Sequence, residues 1–108
     1  GAMEDLKILA KDTRNVYGAE AKYKVAQIYF DGGQTDKAEQ EVLNYIEVST
    51  PHTYWLARSF VLLADVYMKS GRNLDAKQYL LSLKQNYQAD DDIAGMIESR
   101  LEKLKTEN

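Results

Sequence analysis

Residues 60–80 of this 108-residue chain read FVLLADVYMKSGRNLDAKQYL, and residues 22–42 read KYKVAQIYFDGGQTDKAEQEV. At an offset of 38 residues, the two stretches share an alanine, a tyrosine, a glycine, a second alanine and a branched apolar residue. Five matches at one offset indicate that a helix-turn-helix unit occurs twice and that the copies stack to form one core. The matched pairs are Ala26 and Ala64, Tyr29 and Tyr67, Gly33 and Gly71, Ala38 and Ala76, and Val42 and Leu80.

Helix-forming residues dominate the segments between the turns, which predicts an all-α fold. Because glycine can adopt the left-handed conformation that terminates a helix, the second and fourth helices are expected to end near Gly33 and Gly71. Thr50 is the predicted N-cap of the fourth helix, and Asn73 that of the fifth. The predicted helices are 4–11, 14–30, 35–48, 51–69, 73–87 and a last one that follows Asp90-Asp91-Asp92 and ends near residue 106.

Two helices stand out by their hydrophobic pattern. Residues 60–68 are apolar on nearly every side except at Asp65, which predicts that the fourth helix is central and covered by several neighbours. In the last helix the apolar residues form a single stripe, which is typical of a capping helix with a charged outer face. The stripe consists of Ile93, Ile97, Leu101 and Leu104, and the outer face of Glu98, Arg100, Glu102, Lys103 and Lys105.

The composition is that of a folded domain and narrows the class of partner. The chain is 44% hydrophobic and 29% charged, which is typical of globular rather than disordered proteins. A net charge of −3 argues against a nucleic-acid partner, which usually requires clustered Lys and Arg. The sequence contains no apolar stretch of about 18 residues, which is the length expected of a membrane-spanning helix. Without cysteine there is no disulfide and no thiolate metal site.

The same offset extends to the N-terminal part of the chain. Tyr17 and Ala19 lie 38 residues before Trp55 and Ala57, so we expect the chain to begin inside the second helix of an earlier repeat. Gly1-Ala2-Met3 is interpreted as a remnant of a cleaved tag. We expect one domain made of a partial repeat at 4–18, repeats at 19–56 and 57–89, and a capping helix at 90–106. No export signal occurs in it, which leaves the cytoplasm and the periplasmic side of a bacterial envelope open.

The repeated residues resemble the tetratricopeptide repeat family. The match covers about residues 6–88, and it departs from the family in its length of 38 rather than about 34 residues and in Lys22, which occupies a bulky position. It is most similar to the longer repeats of bacterial proteins of the Tol-Pal-associated and outer-membrane-assembly type. The resemblance implies antiparallel hairpins stacked in a right-handed superhelix. The first copy reads Lys22, Val25, Ala26, Tyr29, Ala38, Val42 and Pro51, and the second Phe60, Leu63, Ala64, Tyr67, Ala76 and Leu80.

In this family the first helix of each hairpin lines a concave groove, so the resemblance implies a partner site there. The mixture of aromatic, flexible and charged groups suits a peptide or helix laid into the groove. An acidic Asp65 favours a partner with Lys or Arg nearby and argues against the carboxylate clamp of some family members, whose positions here carry Tyr23, Gln27, Val61 and Asp65. The candidate residues are Glu20, Tyr23, Gln27, Phe30, Asp31, Arg58, Val61, Asp65, Met68 and Lys69.

A purely structural interpretation exists for several of these residues. Tyr23, Phe30 and Met68 are alternatively part of the core, since aromatic residues at helical spacing often are. Asp65 lies four residues before Lys69, so the two can form a solvated ion pair. Arg58 can likewise belong to a solvated face.

No constellation for catalysis or cofactor binding occurs in the sequence. His52 is the single histidine, so neither a metal site nor a catalytic triad has its other members. Asp90-Asp91-Asp92 lacks the glycine and glutamate of a calcium loop and is interpreted as a helix cap. Gly32-Gly33 is not followed by a phosphate-binding Lys-Ser/Thr and is interpreted as a turn.

These patterns predict a scaffold for protein–protein interaction within a larger repeat protein, with no enzymatic activity and no cofactor. The alternative is structural. In that case the domain is a terminal cap of a longer solenoid, or a unit that self-associates or contacts upstream repeats through Leu6, Ile8 and Leu9. An enzyme would need active-site residues supplied from elsewhere.

Overall fold

A computed structural model describes residues 2–48 and 51–106. Within these ranges the chain is all-helical, as predicted, and contains no strand. The six helices begin and end within two residues of the predicted bounds. They are α1 (Ala2–Leu9), α2 (Val16–Asp31), α3 (Thr35–Glu47), α4 (Thr53–Lys69), α5 (Asn73–Asn86) and α6 (Ile93–Thr106).

The turns after α2 and α4 have the same geometry. Gly33 has φ 80° and Gly71 has φ 79°, a region that strains any residue with a side chain. In both turns, the amide that follows the glycine donates a hydrogen bond to a carbonyl in the last turn of the preceding helix. Gln34 N donates to Tyr29 O at 2.8 Å, and Arg72 N donates to Tyr67 O at 2.7 Å. The prediction that these glycines end their helices is confirmed.

The predicted helix caps are only partly correct. Asn73 is the first residue of α5, not its cap, and its Oδ1 is buried with no hydrogen-bond partner among the described residues. The cap position belongs to Arg72, whose guanidinium instead contacts Asp75 at 2.8 Å. Asp91 accepts a hydrogen bond from Ile93 N at 2.9 Å, which confirms the interpretation of the aspartate run as a cap. Thr50 lies outside the described residues, but α4 has His52 at its cap position, so the prediction of Thr50 as the cap of α4 is wrong.

The helices pack in chain order, and alternate helices also meet. Each helix contacts the next one, and in addition α2 contacts α4 and α4 contacts α6. Helix α4 therefore touches four neighbours, which confirms its predicted central position. From α6, Ile93, Ile97 and Leu104 are buried in the cluster that α4 and α5 share, and Leu101 packs at its edge. The predicted apolar stripe of α6 is thus confirmed.

The two hairpins, α2–α3 and α4–α5, differ at one matched pair of positions. In α4–α5, the rings of Phe60 and Tyr79 pack with centroids 6.2 Å apart. The residues 38 positions earlier are Lys22 and Glu41, which form an ion pair at 3.0 Å with both side chains largely buried. The charged residue at the bulky position is therefore explained, because its partner position also carries a charge in this copy.

The four repeated alanines are all buried, but the two repeated tyrosines differ. Tyr67 is buried and packs on Tyr79 at 5.5 Å. Tyr29 is only half-buried and lies beneath Lys7 and Lys37 at 5.5 and 5.6 Å, so it does not fill its hairpin as Tyr67 does. The first hairpin has no aromatic ring at the position of Tyr79.

Candidate functional site

Eight of the ten predicted partner residues lie on a face formed by α2, α4 and α6. Contacts step along these helices in the same direction. Tyr23 and Phe30 of α2 meet Arg58 and Lys69 of α4, and Tyr54 and Asp65 of α4 meet Asp92 at the start of α6 and Arg100 within it. The three helices therefore run parallel, as alternate members of antiparallel hairpins do. We call this surface the even-helix face. It divides into two parts with different chemistry.

The first part is a row of hydrogen-bonded side chains that begins on α2. Gln27 Nε2 donates to Asp31 Oδ1 at 2.8 Å, and Tyr23 OH donates to Gln27 Oε1 at 2.8 Å. Arg58 Nη2 of α4 then donates to the hydroxyl oxygen of Tyr23 at 3.1 Å, which joins α4 to α2. Each polar group in this row is engaged within the chain.

The row continues from α4 to the start of α6. Arg58 Nη1 donates to the hydroxyl oxygen of Tyr54 at 3.0 Å, and Tyr54 OH donates to Asp92 Oδ1 at 2.9 Å. The guanidinium of Arg58 also lies 4.9 Å from the ring of Tyr23 and 5.8 Å from that of Trp55, within the range of cation–π attraction. We call this row the hydrogen-bonded strip. It consists of Tyr23, Gln27, Asp31, Tyr54, Arg58 and Asp92.

Tyr54 is electrostatically perturbed within the strip. Burial raises the pKa of its hydroxyl, the hydrogen bond from Arg58 lowers it, and the hydrogen bond to Asp92 raises it again, with a net increase above 10.0. The neutral hydroxyl is therefore the form that the fold favours. This form has the proton that Tyr54 donates to Asp92.

The second part is a groove towards the C-terminal ends of the same helices. It has a volume of about 610 Å³. Phe30 and Met68 are half-buried and supply its apolar surface, and Lys69 Nζ lies 5.3 Å from the centre of the Phe30 ring. We call it the open groove. It is lined by Phe30, Asp65, Met68, Lys69, Ser99, Arg100 and Lys103.

An ion pair between α4 and α6 crosses this groove. Arg100 Nε donates to Asp65 Oδ1 and Arg100 Nη2 to Asp65 Oδ2, both at 3.1 Å, which is a bidentate geometry. Asp65 is therefore bonded to Arg100. The alternative interpretation had paired Asp65 with Lys69 instead. The sequence had suggested that Asp65 attracts a Lys or Arg of the partner. The structure does not support this expectation, because the carboxylate is already paired with Arg100 of the same chain.

The ten predicted site residues are not all part of one surface. Val61 is only 3% exposed and belongs to the cluster that α4 shares with α6, so its assignment to the groove is wrong. Glu20 forms an ion pair with Lys24 at 2.7 Å instead of lining the groove. Tyr23 is 8% exposed, which supports its interpretation as a core residue with a polar end. The strip contains Tyr23, Gln27, Asp31 and Arg58, and the groove contains Phe30, Asp65, Met68 and Lys69.

Sequence reasoning missed the wall of the groove that α6 supplies. Ser99, Arg100 and Lys103 line it, whereas the sequence pattern had placed Arg100 and Lys103 on an outward charged face. A regular separation in the sequence marks Arg100. This residue follows Asp65 by 35 positions, and Arg58 follows its partner Tyr23 by the same number.

A second exposed surface lies at the opposite end of the helix stack. Ile8 is 65% exposed and Tyr17 68%, and both line an open hollow of about 390 Å³ between α1 and the start of α2. Leu9 and Val16 of the same region are also exposed. Contiguous exposed apolar groups of this kind mark contact surfaces more often than isolated ones do.

The chain matches no protein-family model, no curated protein and no solved structure. Among residues 2–48 and 51–106, no group of three or more His, Cys, Asp or Glu side chains is placed to hold a metal ion. A search of the same residues found no helix with the length and apolar character needed to cross a membrane. The open groove and the exposed apolar end near Ile8 and Tyr17 are the two candidate contact surfaces of the described residues.

Proposed function

We propose that this chain is a protein-interaction module of the tetratricopeptide-repeat type, which binds a peptide or helix of a partner protein within a larger repeat protein. The open groove is the binding site. The observation that carries this proposal is the groove itself, where apolar and charged side chains of three helices meet around an accessible hollow. Groups of this mixture are typical of peptide-binding surfaces.

The repeat character of the chain supports the same proposal. Two hairpins with matched glycine turns stack so that alternate helices lie side by side, and this arrangement creates a continuous surface across repeats. The hydrogen-bonded strip holds α2, α4 and α6 in register. The groove is thereby preorganised, which lowers the entropic cost of binding.

The test is selection of binding peptides from a random displayed library against the wild-type chain. We expect the selected peptides to lose at least about tenfold in affinity for Phe30→Ala, which corresponds to about 1.4 kcal/mol. Leu74→Ala is the matched control, since it also removes an apolar side chain but lies on α5 and is 70% exposed. Circular dichroism checks that both variants are folded. Peptides that bind wild type and Phe30→Ala equally would refute the groove as the site.

Self-association is a second candidate function, favoured by the exposed apolar end at Ile8, Leu9, Val16 and Tyr17. If this surface pairs two copies, sedimentation should show a mass that increases with concentration. Tyr17→Glu should abolish the increase, whereas Leu74→Glu, at an equally exposed position on α5, should not. A monomer at every concentration would eliminate this candidate.

A further inference from the structure

The charge of the open groove is opposite to that of the whole chain. Its lining includes the cations of Lys69, Arg100 and Lys103, and one carboxylate, that of Asp65. The chain as a whole carries a formal charge of −3. A positive patch on an acidic domain is not explained by average composition. It creates a local field that favours an anionic ligand and disfavours a cationic one.

The one carboxylate lining the groove does not offset this field for a ligand. Asp65 accepts both hydrogen bonds from Arg100 in a bidentate pair, so these two charges largely neutralise each other. Lys69 then contributes a positive charge that this carboxylate does not neutralise. Lys69 is exposed, and its ammonium lies above the face of Phe30, next to the apolar surface of the groove.

Apolar contact is the second property of the same site. Phe30 and Met68 are half-buried at the edge of the core and face the hollow. A methionine adapts its shape to different apolar side chains, and an aromatic ring provides a large, rigid contact area. A ligand that satisfies the whole groove therefore carries negative charge beside one apolar group.

We infer that the open groove binds an acidic peptide segment, whose Asp or Glu side chains lie beside Lys69 while one apolar side chain packs on Phe30 and Met68. This inference rests on the proposed function and specifies the chemistry of the partner. It reverses the expectation from sequence, which favoured a basic partner. A Lys or Arg of the partner would meet the ammonium of Lys69 and a carboxylate that is already paired with Arg100.

The experiment measures fluorescence anisotropy with labelled short peptides. The main probe contains Asp, Glu and Gly around one central Phe and is amidated at its C-terminus. Comparison peptides replace the acids by Lys and Arg, replace them by Asn and Gln, or replace the Phe by Ser. A free-acid version of the main probe and a single-stranded oligonucleotide complete the set.

We expect the acidic probe to bind most tightly and to lose at least about tenfold in affinity for Lys69→Glu. Lys77→Glu is the matched control, because it reverses the charge of an exposed lysine on α5 and should leave affinity unchanged. Raising the salt concentration from about 0.05 M to about 0.5 M should weaken binding, since exposed charges are screened. Replacing the Phe of the probe by Ser should also weaken it.

The remaining outcomes separate this inference from the proposed function. If the basic or neutral peptide binds better and depends on Phe30, the groove is a peptide site but the inference of an acidic partner is wrong. If no peptide is affected by Phe30→Ala or Lys69→Glu, both the inference and the proposed function are wrong. Stronger binding of the oligonucleotide, or binding of the free acid alone, would overturn the assignment to acidic side chains.

Discussion

The hydrogen-bonded strip and the open groove are built from the same three helices and lie on the same face, but their polar groups are used differently. In the strip, Tyr23 and Asp92 are joined through Arg58 and Tyr54 by direct hydrogen bonds. In the groove, Lys69 is exposed beside an aromatic ring, and the hollow remains accessible. Position on the even-helix face therefore does not by itself make a residue available to a ligand.

The strip and the groove therefore have different roles, one in folding and the other in contact with a ligand. A side chain whose donors and acceptors are satisfied within the chain contributes mainly to folding, and its loss leaves partners without hydrogen bonds. A side chain that is exposed and makes a single contact within the chain contributes little to folding and can contact a ligand. The following substitutions test this division, in order of decreasing effect on the free energy of unfolding.

Arg58→Ala should have the largest effect, because Arg58 joins α4 to α2 through its hydrogen bond to Tyr23, bonds Tyr54 within α4 and lies against aromatic rings. We expect a loss of about 2 kcal/mol in the free energy of unfolding, measured by urea denaturation. Arg58→Lys keeps the charge but not the two-pronged geometry and should fall between the wild type and Arg58→Ala. A change below about 0.5 kcal/mol for Arg58→Ala would show that the strip is not structural.

Asp65→Asn should have an intermediate effect and links the two parts. Breaking the partly exposed pair with Arg100 should cost about 1 kcal/mol of stability. It should also increase affinity for an acidic peptide several-fold, because Arg100 is released and the groove gains positive charge. The control is Glu98→Gln, which breaks the more exposed pair with Lys84 and should change neither quantity appreciably. Unchanged peptide affinity for Asp65→Asn would argue against an anionic ligand.

Alkaline pH should weaken the strip through Tyr54. Its pKa in the fold is raised above 10.0, so its protonated form contributes stability that is fully present below pH 10.0 and is lost as pH rises through the folded-state pKa. Tyr54→Phe cannot ionise at this position. The difference in urea midpoint between the wild type and Tyr54→Phe should therefore shift against the wild type as the pH rises above 10.0. A constant difference would contradict this assignment.

Lys69→Gln should have the smallest effect on folding. The side chain is exposed, and its described contact is the face of Phe30, so we expect a change in the free energy of unfolding below about 0.5 kcal/mol. Thermal denaturation measures this change. A large loss of stability would mean that Lys69 contributes to folding in the way that the residues of the strip do.

Local patterns in the sequence were sufficient for the helices and their ends. Glycine at positions 33 and 71 carries a backbone preference that does not depend on distant contacts, and the periodic spacing of Ile93 and Ile97 already identifies the buried side of α6. Asn73 shows the limit of such rules, since several cap positions compete within one turn. The cap position of α5 falls on Arg72, whose side chain makes no capping hydrogen bond.

The candidate site was harder to predict because its chemistry depends on pairs that are distant in sequence. Helical periodicity places Val61 and Asp65 on one face of α4 but does not show that Val61 is buried or that α6 supplies Arg100 to Asp65. Partner choice between helices depends on their exact rotation and offset, which local propensity does not encode. The repeated separation of 35 residues became meaningful only once one such contact was known.

The exchange of an aromatic pair for an ion pair between the two hairpins has a consequence for how the molecule opens. Phe60 and Tyr79 join α4 to α5 by apolar packing, whereas Lys22 and Glu41 join α2 to α3 by an ion pair, whose burial removes both charges from water at a cost in free energy. We therefore expect brief local unfolding to start in α2–α3, with faster amide hydrogen exchange there than in α4–α5. The N-terminal hairpin would then be the yielding end of the stack, and the hairpin next to α6 the anchor.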